Sequence, residues 1–589
     1  MLFYDFEVFK EDWLVVLNDV TNRKETVIVN DADELEKFYR QHKKDIWVGY
    51  NSRNYDQYIL QAILCGFNPK EVNDFIIVEG YKGWQFSTLL KKFPVINYDV
   101  ILNGDAGLKA LEGFMGNNIK ETSVPFDIDR KLTQEEIEET IKYCKHDVEQ
   151  TIEVFIHRKE EFESIFSLVK AFNLPLSNVC KTKTQLSALI LGAVKQKHDD
   201  EFEIELPPTL KVEKYRNIVN WYLNPVNRDY NKVLETEVAG VPHTFAWGGL
   251  HGAITQYAGE GYYINVDVAS YYPSLMIVYN WLSRNVADPA KFKEIYNTRL
   301  KLKAEKNPMQ QPYKIVLNST YGGMKDAMST LFDPRQANNV CVGGQLLLLD
   351  LIEKLEPYAE IIQSNTDGIL IKMPNGKDEE EWFNLVDDIC YEWESRTKMN
   401  LEFDEIRKVY QKDVNNYVIV MANGKVKTKG AYVKKLSPLD YDLPILNKAV
   451  NDYFIKGIRP EETINSCTSL KDFQKICKVS SKYLYGLYNP VIEEKKIKDD
   501  GKTKTIKVFS GGIREQEKCF RVFASTRDSD GGIFKVKNHS KNPEKFANTP
   551  DKCFIVNEAV NEMPIPSYLD RGWYIEFAKK RLQDFGVFL

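Results

Sequence analysis

The chain opens with Asp5-x-Glu7 inside the apolar run Leu2-Phe-Tyr-Asp-Phe-Glu-Val8. An i, i+2 pair on a strand puts both carboxylates on one face. Two like charges there either stay solvated or share cations. Two further stretches carry carboxylates of the same kind. Tyr50-Asn51-Ser-Arg-Asn-Tyr55-Asp56 is a polar loop ending in a carboxylate at a helix start, and Tyr143-x-x-x-Asp147 sets a phenol and a carboxylate one helical turn apart. Asp5, Glu7, Asp56 and Asp147 together offer the oxygen-only donors that hard divalent cations take. That is the set a two-metal phosphodiester hydrolysis site requires: one metal lowers the pKa of the attacking water and the other stabilises the leaving oxygen. Tyr143 would orient the water.

A second group lies further along. Asn265-Val-Asp267-Val268-Ala-Ser270-Tyr271-Tyr272-Pro-Ser274 takes a carboxylate off a hydrophobic strand into a small, aromatic turn. Lys314, Asn318 and Tyr321 share one face at helical spacing, preceded by Arg299-Leu-Lys-Leu-Lys303. Ser364-Asn365-Thr-Asp367-Gly368 is a turn between two apolar strands with Asp367 at its tip. Taken singly, each has a plain reading as a turn or a solvated helix face.

The elements that must position these residues follow from pattern. Residues 1–30 read as strands at Met1–Phe9, Trp13–Leu17 and Glu25–Val29, rich in β-branched and aromatic residues. Helical patterns follow at Ala32–His42 and Asp56–Cys65. Thr133–Phe162 reads as one long helical stretch opened by a capping box, Thr133 with Glu136. This alternation predicts an α/β unit over 1–165. Residues 166–255, with Pro175, a helical run Lys183–Lys195, Pro207-Pro208 and Gly248-Gly249, read as a connector. Strands Tyr262–Val268 and Ile361–Ile371 flank a helix-rich middle, in which Gln345–Asp350 is a buried-helix patch. Beyond 450 a polar hairpin is expected at Lys495–Lys507 with its turn at Asp500-Gly501, and Trp573–Leu589 reads as an amphipathic helix.

The composition bounds the class. With 589 residues, several domains are expected; 43% hydrophobic and 28% charged residues are globular values. No apolar run reaches membrane-spanning length, and the acidic N-terminus does not read as an export signal. Nine scattered cysteines without a Cys-x-x-Cys pair, and seven histidines, argue against zinc, iron–sulfur or disulfide frameworks and for a reduced cytosol. Net charge is −6, yet Lys471–Lys545 holds 18 basic and 10 acidic residues and Lys291–Lys314 seven and two, so local basic surface coexists with acidic sites.

Taken together and in this order, the stretches resemble a family B DNA polymerase with a built-in 3′→5′ proofreading exonuclease, over residues 1–435. Asp5/Glu7, Asn51…Tyr55-Asp56 and Tyr143…Asp147 resemble the three exonuclease motifs. Asp267-Val-Ala-Ser-Tyr-Tyr-Pro-Ser, Lys314…Asn318-Ser-Thr-Tyr321-Gly and Asn365-Thr-Asp367-Gly resemble polymerase motifs A, B and C. The implied fold is multidomain, α/β and α+β: a ribonuclease-H-like exonuclease domain, then a right-hand polymerase of palm, fingers and thumb. The implied boundaries are 1–165 exonuclease, 166–255 connector into the palm, 256–290 palm with motif A, 291–335 fingers with motif B, 336–450 palm with motif C, and 451–589 thumb and C-terminal region.

The resemblance also implies roles. Asp267, Asp367 and the Val268 carbonyl would hold two Mg²⁺ ions in the polymerase site, and Asp5, Glu7, Asp56 and Asp147 two in the exonuclease site, with Mn²⁺ as a substitute. Arg299, Lys303 and Lys314 would grip the dNTP triphosphate, Ser270 and Tyr271 would offer backbone amides, Tyr272 would exclude a 2′-hydroxyl, and Asn318 and Tyr321 would pack on the nascent base pair. Asn51 and Tyr55 would contact the single-stranded 3′ end; Tyr417, Lys427 and Lys429 would track primer–template DNA. Asn365 and Gly368 depart from the usual aspartate and serine of motif C, Asn415-Asn-Tyr417 lacks the lysine of the primer-gripping motif (Lys412 is a stand-in), and Ala246-Trp-Gly-Gly249 varies the inter-domain motif.

Forty-seven residues separate Asp267 from Lys314 and 53 separate Lys314 from Asp367, which leaves no room for the insertions of the protein-primed branch. The chain also starts directly on the exonuclease strand, without the N-terminal domain of large relatives, and its last helix shows no clamp-binding peptide. The expectation is a small, phage-type replicative polymerase using an ordinary primer, aided by a helicase or other replication proteins, in the cytoplasm of an infected bacterial cell and without a membrane partner. The alternatives are a chain whose dominant activity is the nuclease, a protein-primed polymerase, and a non-catalytic primer–template binding protein.

Overall fold

The computed structural model describes residues 1–499, 502–515, 518–537 and 543–589. The N-terminal sheet holds β1 (Leu2–Val8), β2 (Trp13–Asp19), β3 (Lys24–Val29), β4 (Ile46–Gly49) and β5 (Ile96–Asp99), in the order β3-β2-β1-β4-β5. β1 to β3 are antiparallel, whereas β4 and β5 run parallel to β1. Both faces are covered. Phe3, Leu14, Val16 and Val48 pack toward Cys144 and Val148, and Tyr4, Phe6 and Trp47 pack toward Ile59 and Leu60. Burial on both faces explains why β1 is apolar nearly throughout rather than alternating.

The expected long helix over Thr133–Phe162 is two helices, Gln134–His157 and Lys159–Ala171. The capping box at Thr133 and Glu136 forms as the pattern predicts. The break falls at Arg158, whose guanidinium reaches Asp105 at 2.6 and 2.8 Å and the Val100 carbonyl at 2.6 Å. A tertiary ion pair has overridden the local helical preference there.

The second sheet has nine strands, each antiparallel to its neighbours: β6 (Val233–Val238), β7 (Val241–Ala246), β8 (Gly249–Ala253), β9 (Tyr257–Val268), β10 (Glu360–Ser364), β11 (Gly368–Lys372), β12 (Leu401–Asp413), β13 (Asn416–Met421) and β14 (Val426–Lys429). Their order is β14-β13-β12-β9-β11-β10-β8-β7-β6. Residues 233–253, within the stretch that reads as a connector, are thus three strands of this sheet. Pro242, Gly248, Gly249 and Gly252 break their pattern and disguise them. The helix Pro334–Leu355, buried along most of its length, packs on the sheet and includes the Gln345–Asp350 patch. Its fully buried Asp350 is held by both Nη atoms of Arg396 at 2.9 Å. Helices Pro289–Ala304 and Gln310–Lys325 pack side by side above β9 and β11.

The C-terminal part contains β15 (Lys475–Lys478), β16 (Tyr483–Asp499), β17 (Lys502–Glu515), β18 (Cys519–Ala524), β19 (Ile533–Lys537), β20 (Glu544–Lys545) and β21 (Cys553–Ile555). They form sheets of order β15-β18-β21 and β17-β16-β19-β20. The hairpin expected over Lys495–Lys507 is β16 with β17; its turn at Asp500-Gly501 lies outside the described residues. The last helix, Arg571–Gln583, buries Tyr574, Ala578 and Leu582 at i, i+4 spacing. Among the described residues no helix is long and apolar enough to cross a membrane.

Candidate active sites

The first carboxylate centre is built on β1. Asp5 and Glu7 point to one side of the strand, toward helix Gln134–His157 and its Tyr143 and Asp147. Asp56 is the first residue of helix Asp56–Leu64, and its Oδ1 accepts the Phe6 backbone N–H at 3.1 Å, which fastens it to the strand between the other two. Glu7, Asp56 and Asp147 are only 7%, 3% and 8% exposed. Burial raises all four pKa values; the other carboxylates of the set add to the rise at Asp5 and Glu7, Asp99 adds to it at Asp56, which is pushed up to about 7, and Glu112 adds to it at Asp147 against the pull of Lys109. Burial, followed by the charges of Asp147, Glu7 and Asp5, keeps the Tyr143 phenol protonated.

Sequence patterns missed the cation here. Lys109 Nζ donates to Asp147 Oδ1 at 2.5 Å and to the fully buried Glu112 at 3.0 Å, and it sits 4.6 Å from the Tyr143 ring centroid. One lysine against four carboxylates and Glu112 leaves a strong deficit of positive charge. The Cys144 thiol donates to the Asp5 carbonyl at 3.4 Å. Asp99, also missed, accepts the N–H groups of Asn51 and Arg53 at 2.8 and 3.0 Å and so shapes the loop, in which Asn51 is left-handed (φ 59°). Tyr55 donates to Asn73 at 2.7 Å and lies beside Asp56.

The second centre lies in the nine-stranded sheet. Asp267, at the end of β9, faces Gly368 of β11 on one side and Glu402 of β12 on the other. Asp367 precedes Gly368 in the turn, and its carbonyl accepts the Val268 N–H at 2.8 Å. The Asn365 side chain closes that turn: its Oδ1 accepts the N–H of Asp367 and of Gly368, each at 3.1 Å. Asn265 Nδ2 donates to Asp267 Oδ2 at 2.7 Å. Burial first, then the charge of Asp367, pushes Asp267 up to about 6. Asp367 is raised by burial, against the pull of Lys429. Tyr417 stands close to both carboxylates, and Lys427 pairs with Asp404 at 2.6 Å.

Beside Asp367 opens a cavity of about 370 Å³ lined by Val268, Ser270, Tyr271, Tyr272, Pro273, Arg299, Lys314, Leu317, Asn318, Tyr321, Thr366 and Asp367. Seven of the residues expected to hold a nucleotide thus converge; Lys303 is the exception, its ammonium paired with Glu402 at 3.0 Å. Ser270 adopts φ 50° ahead of helix Tyr271–Val278 and accepts a 2.5 Å hydrogen bond from Arg299. Arg299 is 8% exposed, and its buried Nε has no partner. Tyr272 and Tyr321 meet edge to face, 4.4 Å between centroids. Tyr271 is anchored away from the opening by its hydroxyl, which donates to the Gly344 carbonyl at 2.7 Å. A carboxylate at the cavity's edge, Asp367, with Asp267 beside it, and the cations Arg299 and Lys314 on the wall suit a polyanionic ligand whose charge is shared with divalent metal.

No family model matches the chain. It is 28% identical over 172 residues to a protein named DNA polymerase from Acidianus bottle-shaped virus (isolate Italy/Pozzuoli), a match that covers 28% of this chain and 22% of the viral protein. The chain thus spans about a fifth of that relative's length in the match. Among solved structures it is similar to the family B DNA polymerase from the hyperthermophilic archaeon Pyrobaculum calidifontis, with TM-score 0.40, 13% identity, 100% of this chain covered and 78% of that chain.

Proposed function

We propose that the chain is a family B, template-directed DNA polymerase that extends a primer 3′ end with dNTPs and also trims it 3′→5′. The observation that carries this reading is the cavity in which Asp367 and Val268 face Arg299, Lys314, Asn318 and the Tyr272–Tyr321 pair. The N-terminal sheet would be the exonuclease domain, the nine-stranded sheet the palm, helices Pro289–Ala304 and Gln310–Lys325 the fingers, and residues beyond 450 the thumb.

Both carboxylate sets fit divalent ions: their donors are oxygens, Glu7, Asp56 and Asp147 are buried, and burial followed by the charges of neighbouring carboxylates raises Asp5, Glu7 and Asp267. Asp267, Asp367 and the Val268 carbonyl would hold Mg²⁺ in one site, and Asp5, Glu7, Asp56 and Asp147 in the other. Such ions activate a hydroxyl or water and neutralise the departing oxygen. The chain's own contribution is positioning. Arg299 and Lys314 orient the triphosphate, and the Ser270–Tyr271 backbone turns its N–H groups toward it. Tyr272 closes the sugar side, while Asn318 and Tyr321 bear on the base. In the nuclease site Tyr143 donates to water or phosphate, and Lys109 holds Asp147.

Asn365 has a role that needs no charge, closing the Asp367 turn through its amide oxygen. That supports an active palm over the nuclease-only reading. The biological setting we infer is replication of a phage or viral genome from an ordinary primer in the host cytoplasm. The deciding experiment uses a 5′-labelled primer on a longer template with Mg²⁺. Templated lengthening with dNTPs and shortening without them is the expected result; shortening in both lanes would leave only the nuclease.

A further inference from the structure

Arg521, on β18 in the C-terminal part, is completely buried. Among the described residues its five guanidinium bonds go to no carboxylate. Nε donates to Gln474 Oε1 at 2.9 Å, Nη1 to the carbonyls of Val556 at 3.3 Å and Glu558 at 2.7 Å, and Nη2 to the carbonyls of Gly113 at 3.0 Å and Asn117 at 2.9 Å. A buried cation paired only with neutral oxygens is costly. The planar five-donor fork is the one side chain that reaches so many acceptors in fixed directions.

Two of those acceptors belong to the last turn and exit of helix Leu108–Met115, which ends at Gly116 in the left-handed conformation. A cation there satisfies orphan carbonyls and opposes the negative end of the helix dipole. The same exit is held by other groups from the C-terminal part: Gln474 Nε2 donates to the Phe114 carbonyl at 3.0 Å and the Val560 N–H to the Gly116 carbonyl at 2.9 Å. Gly113 lets Ile476 approach so closely that a Cβ there would lie 3.0 Å from its Cδ1.

The other end of this short helix carries Lys109, whose ammonium grips Asp147, and Glu112 stands next to Gly113. The exit loop also reaches the Asp147 helix directly, since Asn117 Nδ2 donates to Gln150 at 2.8 Å and Glu153 at 2.7 Å. We propose that Arg521 is a positioning residue for the Asp5/Glu7 centre, through which the C-terminal part of the chain locks helix Leu108–Met115 and so sets Lys109 against Asp147. The inference rests on the nuclease reading of that centre. It makes trimming depend on how the C-terminal part is seated, whereas among the described residues none that lines the polymerase cavity bonds Arg521.

The test uses the full-length chain with Arg521→Met, Arg521→Lys, Lys109→Met and the double variant Lys109→Met/Arg521→Met. Hydrogen–deuterium exchange in metal-free buffer is expected to rise across residues 108–119 in Arg521→Met and to stay unchanged in β1 and β9. With Mg²⁺, kcat for shortening a labelled single-stranded oligonucleotide should fall by a factor on the order of ten to a hundred, with KM and primer extension little altered. Arg521→Lys should recover only part of the loss. In the Lys109→Met background the Arg521 change should add almost nothing, because both act through one contact. Equal loss of both activities, or full additivity in the double variant, would overturn the proposal. Should Arg521→Met not fold, Gln474→Met, which removes one acceptor and the Phe114 bond, must shift the same ratio in the same direction. A wild-type chain that does not shorten DNA would refute the nuclease reading, and the exchange data would still decide whether Arg521 locks the helix.

Discussion

Asp267 and Gly368 sit directly opposite each other across β9 and β11, and a Cβ at position 368 would lie 1.9 Å from Asp267 Oδ1. The carboxylate therefore occupies the space a side chain would fill. Gly368→Ala is expected to turn Asp267 off its position while leaving the sheet and primer binding intact. Extension should drop on the order of a hundredfold in kcat, and shortening should be unchanged. Single-turnover extension with saturating dNTP checks this; a variant extending at the wild-type rate would show that the carboxylate can take another rotamer at no catalytic loss.

What the sequence made legible was local. Asp5 with Glu7, Tyr143 with Asp147, and Lys314 with Asn318 and Tyr321 each lie within one strand or one helix, so spacing alone put them on common faces, and the structure brings each set together. Lys109 was invisible because its partner Asp147 is 38 residues away and belongs to another helix. Arg521 reaches Gly113 across 408 residues of sequence. Lys303 carries the right charge at the right spacing, yet its ammonium pairs with Glu402, 99 residues on, and it is not among the residues lining the cavity. The break at Arg158 is set by a distant partner, the Asp105 ion pair, whereas the strands of 233–253 pair mostly with one another and are disguised by Pro242 and their glycines, only β8 reaching a distant strand, β10.

Asp5→Ala combined with Glu7→Ala should abolish primer shortening, by about a thousandfold or more if the pair supports several kcal/mol of transition-state stabilisation. Extension should persist, since β1 belongs to a different sheet from Asp267 and Asp367. The labelled-primer assay without dNTPs reads the first effect and with dNTPs the second. Joint loss of both would mean that the two centres are not independent.

Tyr272 forms one side of the cavity, braced edge to face by Tyr321. Removing its ring in Tyr272→Ala should open room for a 2′-hydroxyl. Discrimination against ribonucleotides, measured as the ratio of kcat/KM for dNTP over NTP, is expected to fall about tenfold or more, the range over which pocket shape selects between near-isosteres. An unchanged ratio would assign sugar selection to another residue.

Asp56 gives the first centre a pH signature of definite sign. Burial pushes its pKa up from the ordinary 3.8 to about 7, against the Phe6 N–H bond that opposes the rise. Between those values the folded chain holds a proton that the unfolded chain has lost, so this group's contribution to stability falls as pH rises through the window, and the loss is complete above about 7. Asp56→Asn removes the titration and keeps an acceptor for the Phe6 N–H. In EDTA the variant should therefore melt above the wild type at pH 8, with the gap narrowing toward pH 5; each kcal/mol corresponds to roughly 2–4 °C in a chain of large domains. Mg²⁺ should raise the wild-type Tm more at pH 8 than at pH 5, because cations bind the ionised carboxylates of the folded state, and should raise that of Asp56→Asn less. Thermal melts at the two pH values, with and without Mg²⁺, decide it: a wild type that outlasts Asp56→Asn at pH 8 in EDTA would mean that the carboxylate cluster is not under the electrostatic strain its burial implies.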